Sequence, residues 1–219
     1  MIRRIFIKRI LSAIIGLFAL SNKLFTKEIF NKSVVKDGIF YNNYIEHKMA
    51  SLKEFWKWRK QSKKPSPISF PLVKNDPQFL KDNKSNKTIT WIGHASFLLQ
   101  IDGVNILTDP HLSKRASPVS FAGPIRTTPP GLSLEDLPTI DIIVISHNHY
   151  DHLDKKTLKK IFKQQRGHQP LILVPLKLKK LVEGFGAINV KEFGWWDNIK
   201  FQNLTIHSVP VQHWSNRSF

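Results

Sequence analysis

The most informative segment of the chain is Ser146-His147-Asn148-His149-Tyr150-Asp151-His152-Leu153-Asp154. It comes directly after Asp141–Ile145, an apolar run rich in β-branched residues that is typical of a strand buried on both faces. At the far end, Asp154 has the character of a helix N-cap, and the apolar residues that follow have helical spacing through about Gln165. The stretch is therefore predicted to be a loop that leaves a buried strand and enters a helix.

The loop carries three histidines and an aspartate within six residues. In an extended segment His147 and His149 project to the same side, and Asp151 and His152 turn the other way as the helix begins. Such an arrangement offers one pair of ligands to each of two adjacent metal ions, and imidazole with carboxylate suits Zn²⁺ without any thiol. The alternative is a polar loop that is rich in histidine by chance, which is improbable with nine histidines in 219 residues.

Strand patterns flank this loop on both sides. The dipeptide Asp102-Gly103 is typical of a tight hairpin turn, and Gly184 predicts the end of a short helix. Strands alternating with short helices indicate a layered α/β domain. The predicted strands are Thr88–Ile92, Ser96–Ile101, Val104–Leu107, Asp141–Ile145, Leu171–Val174, Ile188–Phe193 and a hairpin within Lys200–Val209, and the second helix is Lys177–Glu183.

The pattern His-x-His-x-Asp-His resembles the metallo-β-lactamase superfamily. Further stretches between residues 88 and 219 resemble its N-acyl-phosphatidylethanolamine-hydrolysing phospholipase D group. They are Trp91-Ile-Gly-His-Ala-Ser-Phe-Leu-Leu-Gln-Ile-Asp-Gly103, Leu107-Thr-Asp-Pro110, Arg115-Ala-Ser-Pro-Val-Ser-Phe-Ala-Gly-Pro124, Asp136-Leu-Pro138, Val174-Pro-Leu176, Gly194-Trp-Trp196 and Pro210-Val-Gln-His-Trp214.

The resemblance implies an αββα sandwich with two zinc ions at the sheet edges. One zinc would be held by His147, His149 and His213, and the other by Asp151, the expected catalytic carboxylate, and His152. The implied reaction is hydrolysis of N-acyl-phosphatidylethanolamine to N-acylethanolamine and phosphatidate. The metal pair would activate water and stabilise the charge that develops on the phosphoryl group.

The family pattern continues past its His213 equivalent with a bridging aspartate and a final histidine, and neither has a counterpart here before Phe219. We therefore expect about the first half of the sandwich in residues 88–219, and a chain that is catalytically weak by itself. A separate C-terminal half is then an expected partner.

Four other polar residues are not expected to be main metal ligands. His94, near the metal loop in the family pattern, is expected to support the site rather than to bind metal, and Asp109 to orient a metal-binding histidine or to cap a turn. His111 is expected in a surface loop. His207, on a predicted strand, is a minor candidate for an additional ligand.

Composition points to a membrane rather than to nucleic acid. The formal net charge is +18, and residues 1–90 hold 19 basic and 6 acidic residues. Within residues 1–30, four cations precede the apolar run Ile10–Leu20. This pattern fits a signal peptide or an interfacial anchor, although an ordinary buried helix is also possible. Residues 31–87 are expected to form a basic, irregular lead and linker, with a short amphipathic helix near Lys53–Lys60.

Three functional hypotheses follow. The first is a zinc phosphodiesterase that acts on a phospholipid at an anionic membrane surface. The second is a non-catalytic membrane-binding remnant that keeps the metal motif. The third is another hydrolase of the same fold, a nuclease or a lactonase. The complete absence of cysteine excludes a disulfide scaffold, thiolate metal sites and thiol catalysis.

Overall fold

A computed structural model of the chain describes residues 32–43, 50–62 and 71–217. The predicted N-terminal segment 1–30 lies outside these residues. The fold divides into two compact units, Ala50–Phe193 with His213–Phe219 and Met1–Met49 with Gly194–Gln212, and each is considered by itself. The metal-binding motif lies in the first and larger unit.

The larger unit is built on a six-stranded mixed sheet with its strands in chain order. The first three strands are antiparallel, and the remaining connections are parallel. The strands are β3 (Thr88–Gly93), β4 (Ser96–Ile101), β5 (Val104–Thr108), β6 (Ile142–Val144), β7 (Leu171–Pro175) and β8 (Val190–Phe193). Because β5, β6 and β7 are parallel, their carboxyl ends meet at one edge of the sheet, where loops that follow them come together.

Burial along the strands follows this topology. The central strands β5, β6 and β7 are buried at almost every position, as parallel strands covered on both faces require. Strand β4 alternates between buried and half-buried positions, so that its two faces have different surroundings. The core of the unit is aliphatic and includes Leu98, Ile143, Leu158 and Ile172, each less than 2% exposed.

Four helices are described in the larger unit: α1 (Leu52–Gln61), α2 (Pro77–Asp82), α3 (Lys155–Gln164) and α4 (Lys179–Glu183). Helix α3 follows the metal motif, begins at the N-cap Asp154 and buries one face against the core. The Asp154 side chain also accepts hydrogen bonds from Thr157 Oγ1 at 2.6 Å and from Ser113 N at 3.1 Å. One carboxylate therefore starts the helix and fastens a neighbouring loop to it.

The smaller unit contains two antiparallel hairpins. Strands β1 (Val34–Lys36) and β2 (Ile39–Tyr41) form the first, and β9 (Asn198–Phe201) and β10 (Leu204–His207) form the second. Lys32 forms an ion pair with Asp197 within this unit. His207 lies exposed on β10.

The structure confirms most of the predicted elements, including the turn at Asp102-Gly103 and the N-cap Asp154. The expectation of an irregular lead missed the β1–β2 hairpin and helix α2, while the short helix near Lys53–Lys60 is present as α1. Helix α4 begins two residues later than predicted, because Lys177 has a left-handed backbone with φ of 71° and cannot belong to it. In the part of the chain described, no helix combines the length and apolar character that crossing a bilayer demands.

Candidate metal centre

The candidate centre lies at the carboxyl edge of the parallel strands. Asp109 directly follows β5, and the motif begins two residues after β6. A backbone hydrogen bond from Asp109 N to Val144 O, at 2.9 Å, continues the pairing of these strands past their ends. Asp109 also has a left-handed backbone with φ of 38°, which ends the strand. The sheet therefore fixes the position of Asp109 beside the start of the loop.

Three histidines form the first group of possible metal ligands: His147, His149 and His213. One ligand atom from each lies within 4.8 Å of the other two. His147 Nε2 and His149 Nδ1 are 2.9 Å apart, and the His213 ring centroid lies 4.5 Å from that of His147. Two ring nitrogens at this separation need a proton or a cation between them, which is the arrangement that a metal ion satisfies.

The second group consists of His94, Asp151 and His152, again with ligand atoms within 4.8 Å of one another. The Asp151 Oδ2 atom lies 2.9 Å from His94 Nε2 and 3.7 Å from His152 Nε2. His94 reaches this position from the tight β3–β4 turn, where its φ is 51°. The group combines two imidazoles with one carboxylate, a donor set that Zn²⁺ accepts.

The two groups adjoin each other through His147 and His152. Their ring centroids are 4.0 Å apart, with the rings tilted by 46°. His94 also packs against His152, at 5.0 Å between centroids. Among the described residues the two groups share no carboxylate. The arrangement therefore offers two neighbouring groups of possible metal ligands.

Asp109 and Ser146 connect the two groups by hydrogen bonds. Asp109 Oδ2 lies 2.8 Å from His152 Nδ1 and 2.6 Å from Ser146 Oγ, and Ser146 Oγ lies 2.9 Å from His147 Nδ1. The carboxylate can only accept, so His152 Nδ1–H and the serine hydroxyl donate to it, and His147 Nδ1–H donates to the serine oxygen. These assignments leave Nε2 of both histidines unprotonated and available to metal.

The position of His213 depends on contacts of the segment that follows it. Arg217 Nη1 donates to the carbonyl oxygens of Asn148, at 3.0 Å, and of Leu153, at 2.7 Å. Its guanidinium also lies 4.2 Å from the centre of the Tyr150 ring. Ser215 Oγ donates to Asn148 Oδ1 at 2.7 Å. The segment is thus held against the metal-binding loop, which places His213 beside His147 and His149.

Electrostatics favour the neutral form of His147 and His149. Burial, followed by the neighbouring histidines, lowers the pKa of His147 from 6.5 to about 4. Burial and His213 also lower the pKa of His149. Neutral imidazoles with free lone pairs are the form that binds metal.

In the second group the pKa values of His152 and Asp151 shift in opposite directions. Burial alone would lower the pKa of His152, but the hydrogen bond and negative charge of Asp109 more than offset it, so the pKa is raised. Burial alone would raise the pKa of Asp151, yet its backbone hydrogen bond and the charges of His152 and His94 bring that pKa below its usual value. A carboxylate that stays ionised near neutral pH is the form that binds a metal ion.

The structure brings together all five residues that the sequence assigned to metal, and it places Asp109 where a histidine-orienting role was expected. Metal binding by these residues remains a prediction. The structure places His94 in the second group, with its Nε2 2.9 Å from Asp151 Oδ2, and its expected supporting role stays a prediction. The β3–β4 turn, in which Gly93 and His94 both have a positive φ, carries this imidazole.

The expectation of a surface position for His111 is wrong. This residue is 5% exposed, and its contacts with Ser96 and Arg126 lie within the fold. Ser96 Oγ accepts a hydrogen bond from His111 N at 3.0 Å, and Arg126 lies 2.9 Å from His111 Nδ1. Burial lowers the pKa of His111. Sequence reasoning also missed Arg217 and Ser215, which no local pattern distinguishes from ordinary surface residues.

Residues 104–219 match the family model described as the beta-lactamase superfamily domain. The chain is 42% identical over 144 residues to N-acyl-phosphatidylethanolamine-hydrolyzing phospholipase D 1 of Caenorhabditis elegans, covering 62% of this chain and 40% of that protein. It is 34% identical over 149 residues to the mitochondrial N-acyl-phosphatidylethanolamine-hydrolyzing phospholipase D of Saccharomyces cerevisiae, covering 65% and 31%.

A metal-dependent hydrolase of Methanopyrus kandleri is 33% identical over 125 residues, covering 57% of this chain and 46% of that protein. The chain therefore spans less than half the length of each of these relatives. The family match covers more than half of the chain and includes all of the loop from Ser146 to Asp154. The chain belongs to the beta-lactamase superfamily and has its metallo-β-lactamase fold.

Proposed function

We propose that this chain carries the metal-binding half of a zinc-dependent phosphodiesterase that hydrolyses N-acyl-phosphatidylethanolamine to N-acylethanolamine and phosphatidate. The observation that carries the proposal is the pair of adjoining ligand groups, which meet at His147 and His152. The names of the Caenorhabditis and Saccharomyces relatives support the lipid substrate, and that of the Methanopyrus relative supports a metal-dependent hydrolase.

The donor atoms fit zinc. Two nitrogen ligands on one tetrahedral zinc ion, each about 2.0–2.1 Å from the metal, lie roughly 3.3 Å apart. His147 Nε2 and His149 Nδ1, at 2.9 Å, need only a small adjustment to reach that separation. The two groups contain only imidazoles and one carboxylate. His147, His149 and His213 would hold one ion, and His94, Asp151 and His152 the other.

Bound zinc would activate water for attack on the phosphodiester and polarise a phosphoryl oxygen. The protein's own residues prepare the site for that step. Asp109 holds His152 in the tautomer with a free Nε2, and the Ser146 hydroxyl does the same for His147. Asp151 supplies a negative charge between His94 and His152. Because His94 and Asp151 keep 48% and 38% of their side-chain surface exposed, substrate can approach from that side.

We also propose that the chain acts at an anionic membrane surface or is exported across the membrane. A phospholipid substrate requires contact with a membrane, and the cations that precede Ile10–Leu20 favour an anionic surface or export across it. We expect that removal of residues 1–30 weakens flotation of the chain with anionic vesicles, and equal flotation of both forms would overturn this part of the proposal. We expect no binding of nucleic acid.

We also propose that this chain by itself turns over substrate slowly, since its two described ligand groups have no carboxylate in common. Without a bridge the ions are not held about 3.5–4 Å apart, as two-metal hydrolases hold them. A separately produced C-terminal half would then restore activity when mixed with this chain.

The test incubates purified protein and added Zn²⁺ with an N-acyl-phosphatidylethanolamine, a nucleic acid or a lactone. Each reaction is run in the presence and absence of the C-terminal half of a relative. We expect release of N-acylethanolamine, detected by mass spectrometry, and its loss in Asp151→Asn. Asp102→Asn, an exposed turn residue outside both groups, is the matched control. Cleavage of only a nucleic acid or a lactone would favour the third hypothesis, and zinc-independent lipid binding without turnover would favour a non-catalytic remnant.

A further inference from the structure

Helix α1 is unusual in the larger unit because it buries none of its ten residues. All of them are exposed, including Leu52 at 79%, Trp56 at 57% and Trp58 at 63%. A ten-residue helix without packing is marginally stable in water. Here it has a capping box, in which Glu54 N donates to Ser51 Oγ at 3.3 Å and Ser51 N donates to Glu54 Oε2 at 2.7 Å. The helix is therefore started by its own sequence but not covered by the described fold.

The sequence of α1 places its apolar side chains on one side of the helix and its three lysines on the other. At 100° per residue, Leu52, Phe55, Trp56 and Trp58 occupy one continuous arc, together with Arg59. The opposite arc carries Lys53, Lys57 and Lys60, together with Glu54 and Gln61. The Phe55 ring lies 5.7 Å from the Trp56 ring and 6.0 Å from the Trp58 ring. The three aromatic side chains thus form a contiguous patch on one side of the helix.

The basic side chains of the helix form no ion pair with the residues that the structure describes. Glu54, its only acidic residue, is engaged in the capping box at the first turn. None of the ion pairs found between described residues involves Lys53, Lys57 or Lys60. Lysines beside a patch of Trp and Phe match the interface of an anionic bilayer, where indole rings lie at the headgroups and ammonium groups contact lipid phosphates.

We propose that α1 is a docking element that lies in the surface of an anionic phospholipid bilayer, with the patch of Leu52, Phe55, Trp56 and Trp58 facing the acyl chains. This function is separate from the predicted anchor in residues 1–30 and does not depend on catalysis. It gives the larger unit, which carries the metal centre, its own contact with the membrane. Because binding is measured without substrate turnover, failure of this proposal is distinguishable from failure of the proposed function.

The absence of cysteine makes a site-specific test possible. Single cysteines are introduced in the full chain as Trp56→Cys, in the apolar arc, and as Gln61→Cys, in the basic arc, and each is labelled with an environment-sensitive fluorophore. With vesicles of phosphatidylcholine and phosphatidylserine we expect a several-fold fluorescence increase at position 56, quenched by lipids with a nitroxide on the acyl chain. Position 61 should change little. The label reports on α1 even if residues 1–30 also bind the vesicle.

A second experiment tests whether the lysines of α1 contribute to binding of anionic vesicles. Replacing Lys53, Lys57 and Lys60 by Gln should weaken partitioning into anionic vesicles by about a hundredfold, since each lysine near such a surface contributes about fivefold. The matched control replaces Lys156, Lys159 and Lys163, which are exposed on α3, and should leave partitioning unchanged.

Several results would overturn the proposal. They are equal responses at positions 56 and 61, equal losses in the two lysine triples, or a label at position 56 that is already shielded before vesicles are added. The last result would mean that another part of the chain covers the patch. A fluorescence increase produced by RNA and not by vesicles would assign the helix to nucleic acid instead.

Discussion

Asp109 and His152 are joined by a contact of 2.8 Å between Oδ2 and Nδ1, and both side chains are largely buried. This contact determines which nitrogen of His152 faces the second ligand group. The same oxygen of Asp109 lies 2.6 Å from Ser146 Oγ, which in turn contacts His147 of the first group. One carboxylate thereby orients a histidine in each of the two groups, and the consequences can be measured.

Asp109→Asn should weaken zinc binding by about ten- to a hundredfold, as is usual when the partner that orients a metal-binding histidine is lost. The asparagine keeps the shape of the side chain but offers only one acceptor oxygen to three donors, which are Ser146 N, Ser146 Oγ and His152 Nδ1. Competition with a chromophoric chelator measures the affinity. Asp102→Asn serves as the control and should bind zinc like the unaltered chain. Unchanged affinity in Asp109→Asn, with the fold intact, would show that Asp109 does not support the site.

Ser146→Ala should weaken the first group more than the second, because it removes the hydroxyl that accepts from His147 Nδ1 while leaving Asp109 on His152. We expect a loss of about tenfold in zinc affinity for one site, and its recovery in Ser146→Thr, which keeps the hydroxyl. Zinc titration followed by calorimetry resolves the two sites. Equal weakening of both sites, or no recovery with threonine, would contradict the bridging role.

Acid should destabilise the chain through the first group when a chelator is present. His147 has a folded-state pKa of about 4, below its usual 6.5, so its stabilising contribution is complete above pH 6.5 and is lost as the pH falls toward 4. His152 behaves oppositely. Its pKa is raised in the fold, so its contribution is complete below pH 6.5 and is lost as the pH rises through the folded pKa.

Urea unfolding midpoints measured between pH 4 and pH 8 give the pH dependence of stability. They test both the expected loss at low pH, the acid limb, and the expected loss at higher pH. His147→Gln should flatten the acid limb alone, and His152→Gln should flatten the limb at higher pH alone. If both variants altered the same limb, the assigned directions of the two pKa shifts would be incorrect.

Arg217→Met should release the segment that carries His213. The substitution removes two hydrogen bonds from the guanidinium to the carbonyls of Asn148 and Leu153, which together with the loss of the Tyr150 contact corresponds to about 1–3 kcal/mol in the free energy of unfolding. Zinc affinity of the first group should fall as well. Arg166→Met, at an exposed position, is the control. If the free energy of unfolding fell by the predicted amount while zinc affinity stayed unchanged, His213 would be positioned by other contacts.

Local patterns were sufficient for the strands, the Asp102-Gly103 turn and helix α3, because each depends on residues close together in the chain. They were also sufficient for the neighbourhood of His147, His149, Asp151 and His152, which one loop holds together. Positions set by distant contacts were different. His111 is buried beside Arg126, and His94 reaches Asp151 only because the β3–β4 turn ends beside the loop.

The contribution of Arg217 could not be predicted for the same reason. Its partners are the backbone carbonyls of Asn148 and Leu153, which are distant in the sequence. Because every residue has a backbone carbonyl, the residue types do not show which ones will accept such a hydrogen bond. His213 was predicted as a metal ligand from the resemblance to the superfamily, since the periodicity of the sequence does not indicate it. The structure then showed how that histidine is carried to the loop.

The most direct test of the central claim is an anomalous-difference map from crystals of the chain grown with Zn²⁺, using data collected on both sides of the zinc absorption edge. We expect a peak about 2.0–2.1 Å from ring nitrogens of His147, His149 and His213. A second, weaker peak is expected between His94, Asp151 and His152. A zinc-loaded crystal with His213 ordered and no anomalous peak among the three histidines would contradict the account.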